Sequence, residues 1–427
     1  LNSALWDYLF RMMLGRFGHP EYLVGVAQKL PYPTGEVPQT SLAERAIDSG
    51  IESSGYDETS KTFRPSFCSM PHFGWNSPEV VDRGGLQSQF DNLGYSLYGV
   101  GKDVEDEVAW FTAERSGDDS ETNTEDLETK ETEALTTISG PLSLASFLLG
   151  CVFGRWDLRL ATGERSIPGL PDPFDPLPVC SLGMLQDEDG LPLRSTREDC
   201  SLSIDWDGIL VDDPGHPDDL LARIRRVLEL IYKERAGAIE SELADLLGVK
   251  DLRDYFRRPT KGGFWLDHVA RYSKSRRKAP IYWLLQSKKR NYALWLYYHR
   301  LDRDLLYKAL VNYVEPKLRL GESRLKELEE ARILAGPTGR EAKQLAREAE
   351  AQEELVQEIT EFAQALSRAA ELHLIPDLDD GVLLNIAPVW ELVPWKEAAT
   401  TWQELLKGKY PWSSVGQQLR ERGVVKS

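Results

Sequence analysis

Apolar residues recur with helical spacing at Leu1, Leu5, Leu9, Met12 and Met13, and GRFGHPEY then breaks the pattern, which predicts a first helix over 1–14. YLVGVAQKLPYP follows as a short strand candidate that Pro31 and Pro33 close. Leu86, Phe90, Leu93 and Leu97 share one face of a second helix, which Gly99 is placed to stop. The run LSLASFLLGCVF at 142–153 suits a buried helix, and 170–189, rich in Pro, Asp and Gly, reads as irregular structure. A strong helix is expected over 218–247, with Leu220, Ile224, Val227, Leu228 and Ile231 as its apolar stripe. Two short aromatic runs, 280–285 and 292–298, are joined by QSKKRN, the pattern of a β-hairpin with a polar, basic tip. Finally, Leu325, Leu328 and Ile333 on one arm match Leu345, Leu355, Ile359, Phe362, Leu366 and Leu372 on a second, with GPTG between them, so 304–373 reads as two antiparallel helices joined by a tight turn. The sum is an α+β fold: a mixed α/β lobe, a helical spacer and a long antiparallel helical hairpin.

Charge changes this picture. The 427-residue chain has a net charge of −18, yet 250–300 holds fourteen Lys and Arg against three Asp. Cationic clusters there alternate with Tyr272, Tyr282, Trp283, Tyr292, Trp295, Tyr297 and Tyr298. Cations neutralise phosphates and flat rings stack on bases, so this window points to a polyanion, with the hairpin tip Lys288, Lys289 and Arg290 shaped to enter a groove. The competing reading is a core hairpin whose basic tip is merely solvated. Between 103 and 133 the balance reverses to thirteen acidic residues and two basic ones among Ser, Thr and Asn, which reads as a mobile spacer, or as an acidic tail competing for the basic surface.

Four dispersed cysteines, Cys68, Cys151, Cys180 and Cys200, argue against a disulfide framework and for a reducing, cytoplasmic compartment. Cys68 and His72 lie four apart, but no second pair completes a zinc site. Asp212, Asp213, His216, Asp218 and Asp219 are metal-ligand types, but carboxylates just before a helix are its usual caps and dipole partners. No run of about eighteen apolar residues exists, so no membrane span is expected. Beginning at Leu1 inside an apolar segment, the chain reads as part of something longer. Phosphate loops, Gly-x-Ser-x-Gly elbows and His-Glu-x-x-His are not found, and Glu128 with Lys130, spaced as in nucleases, sits in the acidic stretch, where nothing rigid would hold a metal.

Several segments carry a resemblance. LNSALWDYLFRMMLGRFGHPEYLVGVAQKLPYP is similar to the stretch following the catalytic domain of large adenine-specific DNA methyltransferases, and LQSQFDNLGYSLYGV to a helix common in such enzymes. LGCVFGRWDLRLATGE, LPDPFDPLPVCSLGML, WDGILVDDPGHPDD, RYSKSRRKAPIYW, PDLDDGVLLNIAPVWELVPWKEA and WQELLKGKYPW resemble the C-terminal half of the PglX type, of BREX and related DISARM phage-defence systems. The similarity covers nearly the whole chain except 103–139, and the end, KYPWSSVGQQLRERG, departs from the expected tail. The resemblance implies a methyltransferase that marks adenine in host DNA with S-adenosylmethionine. Its chemistry resides in an Asn-Pro-Pro-Tyr motif and a glycine-bearing cofactor loop, neither of which occurs here, so no catalytic or cofactor residue is carried over to this segment.

With that resemblance the chain divides into a junction following a methyltransferase domain (1–40), a helical spacer (41–102), the acidic linker (103–139), an α/β DNA-recognition lobe (140–300), the helical hairpin (301–374) and a C-terminal segment (375–427). The expected partner is double-stranded DNA, with other phage-defence subunits as further candidates and no membrane. Arg257, Arg258, Lys261, Arg271, Lys274, Arg276, Arg277, Lys278, Lys288, Lys289 and Arg290 are expected to face phosphate, and Gln286 or Asn291 to reach adenine. A scaffold reading instead makes Trp390, Trp395, Trp402 and Trp412 interface anchors, although tryptophans at such spacing more often fill a core.

Overall fold

In the computed structural model the described residues are 3–14, 42, 44–48, 55, 57–65, 83–118, 140–172, 175–193, 202, 204, 206–274, 277–336 and 338–425. They fall into two compact units, one of residues 1–64, 74–134 and 168–182, the other of residues 65–73, 135–167 and 183–427. The strand candidate at 22–33, Cys68 with His72, and the Glu128–Lys130 pair lie outside the described residues.

The first unit contains helices α1 (Ala4–Leu14), α2 (Arg83–Tyr98) and α3 (Lys102–Asp118). α1 buries Leu5 and Phe10, while Met12 and Met13, expected on the same face, are exposed. Gly99 at φ +61° ends α2, as its position in the sequence suggests. α3 corrects the expectation of a spacer starting at 103: its sequence supplies helix-favouring acids to the first turn, Val108 is buried, and the Glu107 carboxylate accepts from the Tyr8 hydroxyl at 2.7 Å.

The second unit is built on a three-stranded antiparallel sheet, β1 (Ile209–Val211), β4 (Tyr282–Gln286) and β5 (Ala293–Tyr297), in the order β1-β5-β4. A separate two-stranded pair, β2 (Ser273–Lys274) with β3 (Arg277–Lys278), lies between β1 and β4 in the chain. Every residue of β1, β4 and β5 is buried, which is why these strands read as continuous apolar and aromatic runs rather than alternating ones. Helix α4 (Gly140–Val152) is buried nearly all round, as its composition predicts. The helix expected over 218–247 is two, α5 (Leu220–Tyr232) and α6 (Ala236–Leu246), separated by a turn in which Lys233 has φ +51°. Asp219 caps α5, its carboxylate accepting from the Ala222 amide at 3.0 Å, so the capping reading of the acidic loop holds. α7 (Leu252–Arg257) and α8 (Phe264–Arg271) complete the wall behind the sheet.

The helical hairpin is present as α10 (Glu315–Ala335) and α11 (Arg340–Ala370). α10 continues from a short helix α9 (Leu305–Ala309) through a π-helical turn, Leu310–Val314. Pro316, at the start of α10, has no N–H to donate, and the widened turn just before it accommodates that loss. Gly321 lets the two arms approach, since a Cβ there would sit 3.2 Å from Val356 Cγ2, and Gln352 Nε2 donates to its carbonyl at 2.9 Å. Leu328, Ile359, Phe362 and Leu366 are buried as expected, but Ile333, near the far end of α10, is 79% exposed. Last come α12 (Val382–Ile386), α13 (Lys396–Leu406) and α14 (Ser414–Glu421), whose small core includes Leu384, Leu405, Val415 and Leu419. Trp395 is buried against Trp265 of α8, Trp390 and Trp402 are half-buried and Trp412 is exposed, so of the four proposed anchors one is core and one is open.

Candidate nucleic-acid interface

The β4–β5 hairpin forms as predicted, with Gln286 opposite Ala293 and a turn closed by Ser287, whose amide donates to the Tyr292 carbonyl at 2.9 Å. Arg290 takes φ +65°, the left-handed residue that lets this turn reverse the chain. The aromatic residues, however, do not present rings to a ligand. Tyr282, Trp283, Tyr292, Trp295, Tyr297 and Tyr298 are all at most 4% exposed, and the rings pack on one another and on Phe153, Phe256, Phe264 and Phe362. Base stacking by these six is therefore excluded in this fold. Alternation of cations with aromatics arose because the rings face inward and the charges cap the ends of the strands.

The tip is also engaged. It is seated on α11, where Glu354, Glu358 and Glu361 follow one another along a single face. Glu358, buried, accepts from the Lys289 amide at 2.7 Å, the Asn291 amide at 3.4 Å and the Asn291 side chain at 2.7 Å. Lys288 pairs with Glu361 at 2.7 Å and Lys289 with Glu354 at 2.6 Å. Those hydrogen bonds hold both lysines above their usual pKa and both carboxylates below theirs. Sequence reasoning missed these three glutamates. The acid repeat at helical spacing is visible in the sequence, but nothing there joins it to the basic turn about seventy residues away.

A second charged network lies on the acidic loop before α5. Arg253 clamps Asp219 with two bonds, 2.9 and 2.7 Å, and also donates to Asp212, which takes a further 2.6 Å bond from Arg257. Both aspartates are buried. Burial works against the Arg253 charge, but the bonds to Asp219 and Asp212 outweigh it and raise the guanidinium pKa above its ordinary value. Asp213 pairs with Lys317 and Asp218 with Arg223, both at 2.6 Å, so four carboxylates of the loop are tied to cations from α5, α7 and α10.

Of the other expected phosphate ligands, Arg258 pairs with Asp254 at 2.6 Å and Lys278 with Glu397 at 2.5 Å, while Arg271 donates to Ser143 Oγ at 3.5 Å. Lys261 and Arg290 are exposed and make no ion pair among the described residues. Lys274 and Arg277 are register partners in the β2–β3 pair, and Arg276 between them lies outside the described residues. Gln286 is buried and donates to the Arg257 carbonyl at 2.7 Å, and Asn291 serves Glu358, so both suggested adenine readers are committed within the fold.

No protein-family profile matches the chain. Over 209 residues, 46% of its length, it is 28% identical to the adenine-specific methyltransferase BrxX of Escherichia coli O9:H4 (strain HS). Over 253 residues, 57% of its length, it is 26% identical to the adenine-specific methyltransferase PglX of Lacticaseibacillus casei (strain Zhang). The chain is related to the PglX type of adenine-specific methyltransferase. The matched stretches span 17% and 18% of those two proteins, less than a fifth of either. No helix among the described residues is long and apolar enough to cross a membrane.

Proposed function

We propose that this chain is the DNA-contacting, target-recognition part of an adenine-specific DNA methyltransferase that marks host DNA in a phage-defence system of the BREX or DISARM kind. The observation that carries the reading is the relationship to two adenine-specific methyltransferases in a chain that has neither an Asn-Pro-Pro-Tyr motif nor a glycine-bearing cofactor loop of its own. Such an enzyme takes its target base out of the duplex, and a lobe apart from the reacting base must grip the backbone meanwhile. In this reading S-adenosylmethionine belongs to the whole protein and not to this segment.

The cations divide into two roles. Arg257, bound to buried Asp212, and Arg258, bound to Asp254, shape the lobe. Lys261, Arg271 and Arg290, together with Lys274, Arg276 and Arg277, are the phosphate contacts, and Lys278, Lys288 and Lys289 join them on exchanging carboxylate for phosphate. A scaffold that docks other defence subunits is the second reading, favoured by the exposed Trp412 and by the exposed Ile333 and Leu334 of the helical hairpin. The test is binding to duplex DNA across a salt series. The chain is expected to bind with affinity falling steeply as salt rises, and replacing Arg276, Arg277 and Lys278 by Gln to shallow the slope of log affinity against log salt by about 0.9 per lost contact, on all sequences alike. Affinity that ignores salt would overturn the DNA reading.

A further inference from the structure

We propose that the acidic face of α11 is a built-in substitute for DNA phosphate, holding the β4–β5 tip neutral until a duplex displaces it; the inference rests on the DNA-binding reading above. Lys288 and Lys289 are each paired with a carboxylate of α11 and the buried Glu358 adds a third acid beside them, so the formal charge of the tip, Arg290 included, is balanced within the fold. The contacts are of two kinds. Glu358 is buried and binds two backbone amides and Asn291, which is what fixes the turn to the helix. Glu354 and Glu361 pair with the lysine ammonium groups, Glu361 also taking a hydrogen bond from Gln357 of its own helix, and the side chains of those pairs are 60% and 43% exposed on the acid side and 57% and 83% on the basic side. Exposed pairs of this sort hold a fold together only weakly. Seating the turn does not need them.

Their effect is on the tip's field. Each lies within hydrogen-bond distance of a lysine that would otherwise meet a polyanion, and spacing by seven residues on a helix sets them about 10 Å apart along its axis. A phosphate strand offers the same chemistry, oxyanions in a row, and competes for the same ammonium groups without disturbing the buried Glu358 clamp. Affinity for DNA is thereby lowered and made more discriminating, because the tip joins the interface only where phosphates arrive in register with it.

The experiment compares the 427-residue chain with the double variant Glu354→Gln, Glu361→Gln and with a control, Glu330→Gln, Glu341→Gln, which removes two exposed acids from the other end of the helical hairpin. The probe is a mixed-sequence 30-base-pair duplex. The first variant is expected to bind roughly tenfold more tightly near physiological salt, with a salt slope at least as steep as the parent's, because the tip lysines then reach the same phosphates without first giving up a carboxylate. Its melting temperature should match that of the parent chain. An equal gain in the control would reduce the effect to net charge and overturn the substitute-phosphate inference, as would unchanged affinity and slope in the first variant while the parent chain binds DNA. If neither parent nor variant binds the duplex, the DNA reading itself falls, and this inference with it.

Discussion

The loop before α5 and the tip of the β4–β5 hairpin both pair acids with bases, and they show how differently the same chemistry behaves at two depths. Around the loop, Asp212 and Asp219 are 4% and 3% exposed and share the Arg253 guanidinium, which grips Asp219 with two bonds. Those charges cannot regain water, so each depends on its partner. At the tip the lysines and outer glutamates keep their water, and swapping one partner for another costs little. Counting cations along 250–300 treats both sets alike. Burial separates them into groups that build the lobe and groups that can meet a ligand.

The largest effect should come from breaking the buried network. Arg253→Ala strands Asp219 without its clamp and leaves Asp212 to Arg257 alone, which should cost about 3 kcal/mol of stability, read by chemical denaturation. Little change would mean that water reaches these carboxylates, and the contrast between the two regions would collapse.

A change of pH separates the regions in another way. His268 is buried beside the sheet, its Nε2 accepting from the Ile281 and Tyr282 amides, each at 3.0 Å. Burial, with Arg271 and Arg155 nearby, drives its pKa well below the ordinary 6.5. The folded state therefore holds the ring neutral while the unfolded chain takes up a proton below 6.5. This contribution is full above that value and is lost as pH falls toward the folded pKa, at up to about 1.4 kcal/mol per pH unit. The tip glutamates, with pKa values lowered from 4.5, cannot act in the window between 6.5 and 5. Stability followed over that window should slope in the parent chain, and less so in His268→Gln. Equal slopes would remove His268 from the account.

The sequence made some of this legible and hid the rest for physical reasons. Periodicity found α1, α2, α4, the helical hairpin and the β-hairpin because each buries one face or all of itself, and burial writes a period into the chain. The division of 218–247 at Lys233 left no signal, since Lys and Glu suit a helix interior as well as a turn. The aromatic residues of 280–298 looked available because alternation with charge resembles a stacking surface, yet both faces of the strands are covered and only their ends are wet. Glu354, Glu358 and Glu361 are about seventy residues from the tip they hold, a separation over which local pattern carries no information.

The smallest expected effect on stability is the one that sharpens the comparison most. Lys288→Gln with Lys289→Gln removes both outer pairs at the tip but spares the Glu358 clamp, because that clamp binds the Lys289 backbone amide, which glutamine also supplies. Exposed pairs contribute little to a fold, so the unfolding free energy should barely move, against about 3 kcal/mol for Arg253→Ala. Duplex binding should respond in the opposite proportion, with a salt slope shallower by as much as 1.8, about 0.9 for each phosphate contact given up. A loss of stability as large as that of Arg253→Ala would make the tip a structural clasp like the loop. A full salt slope in the double variant would place the phosphate contacts elsewhere in the lobe, and attention would shift to Lys261, Arg271 and the β2–β3 pair.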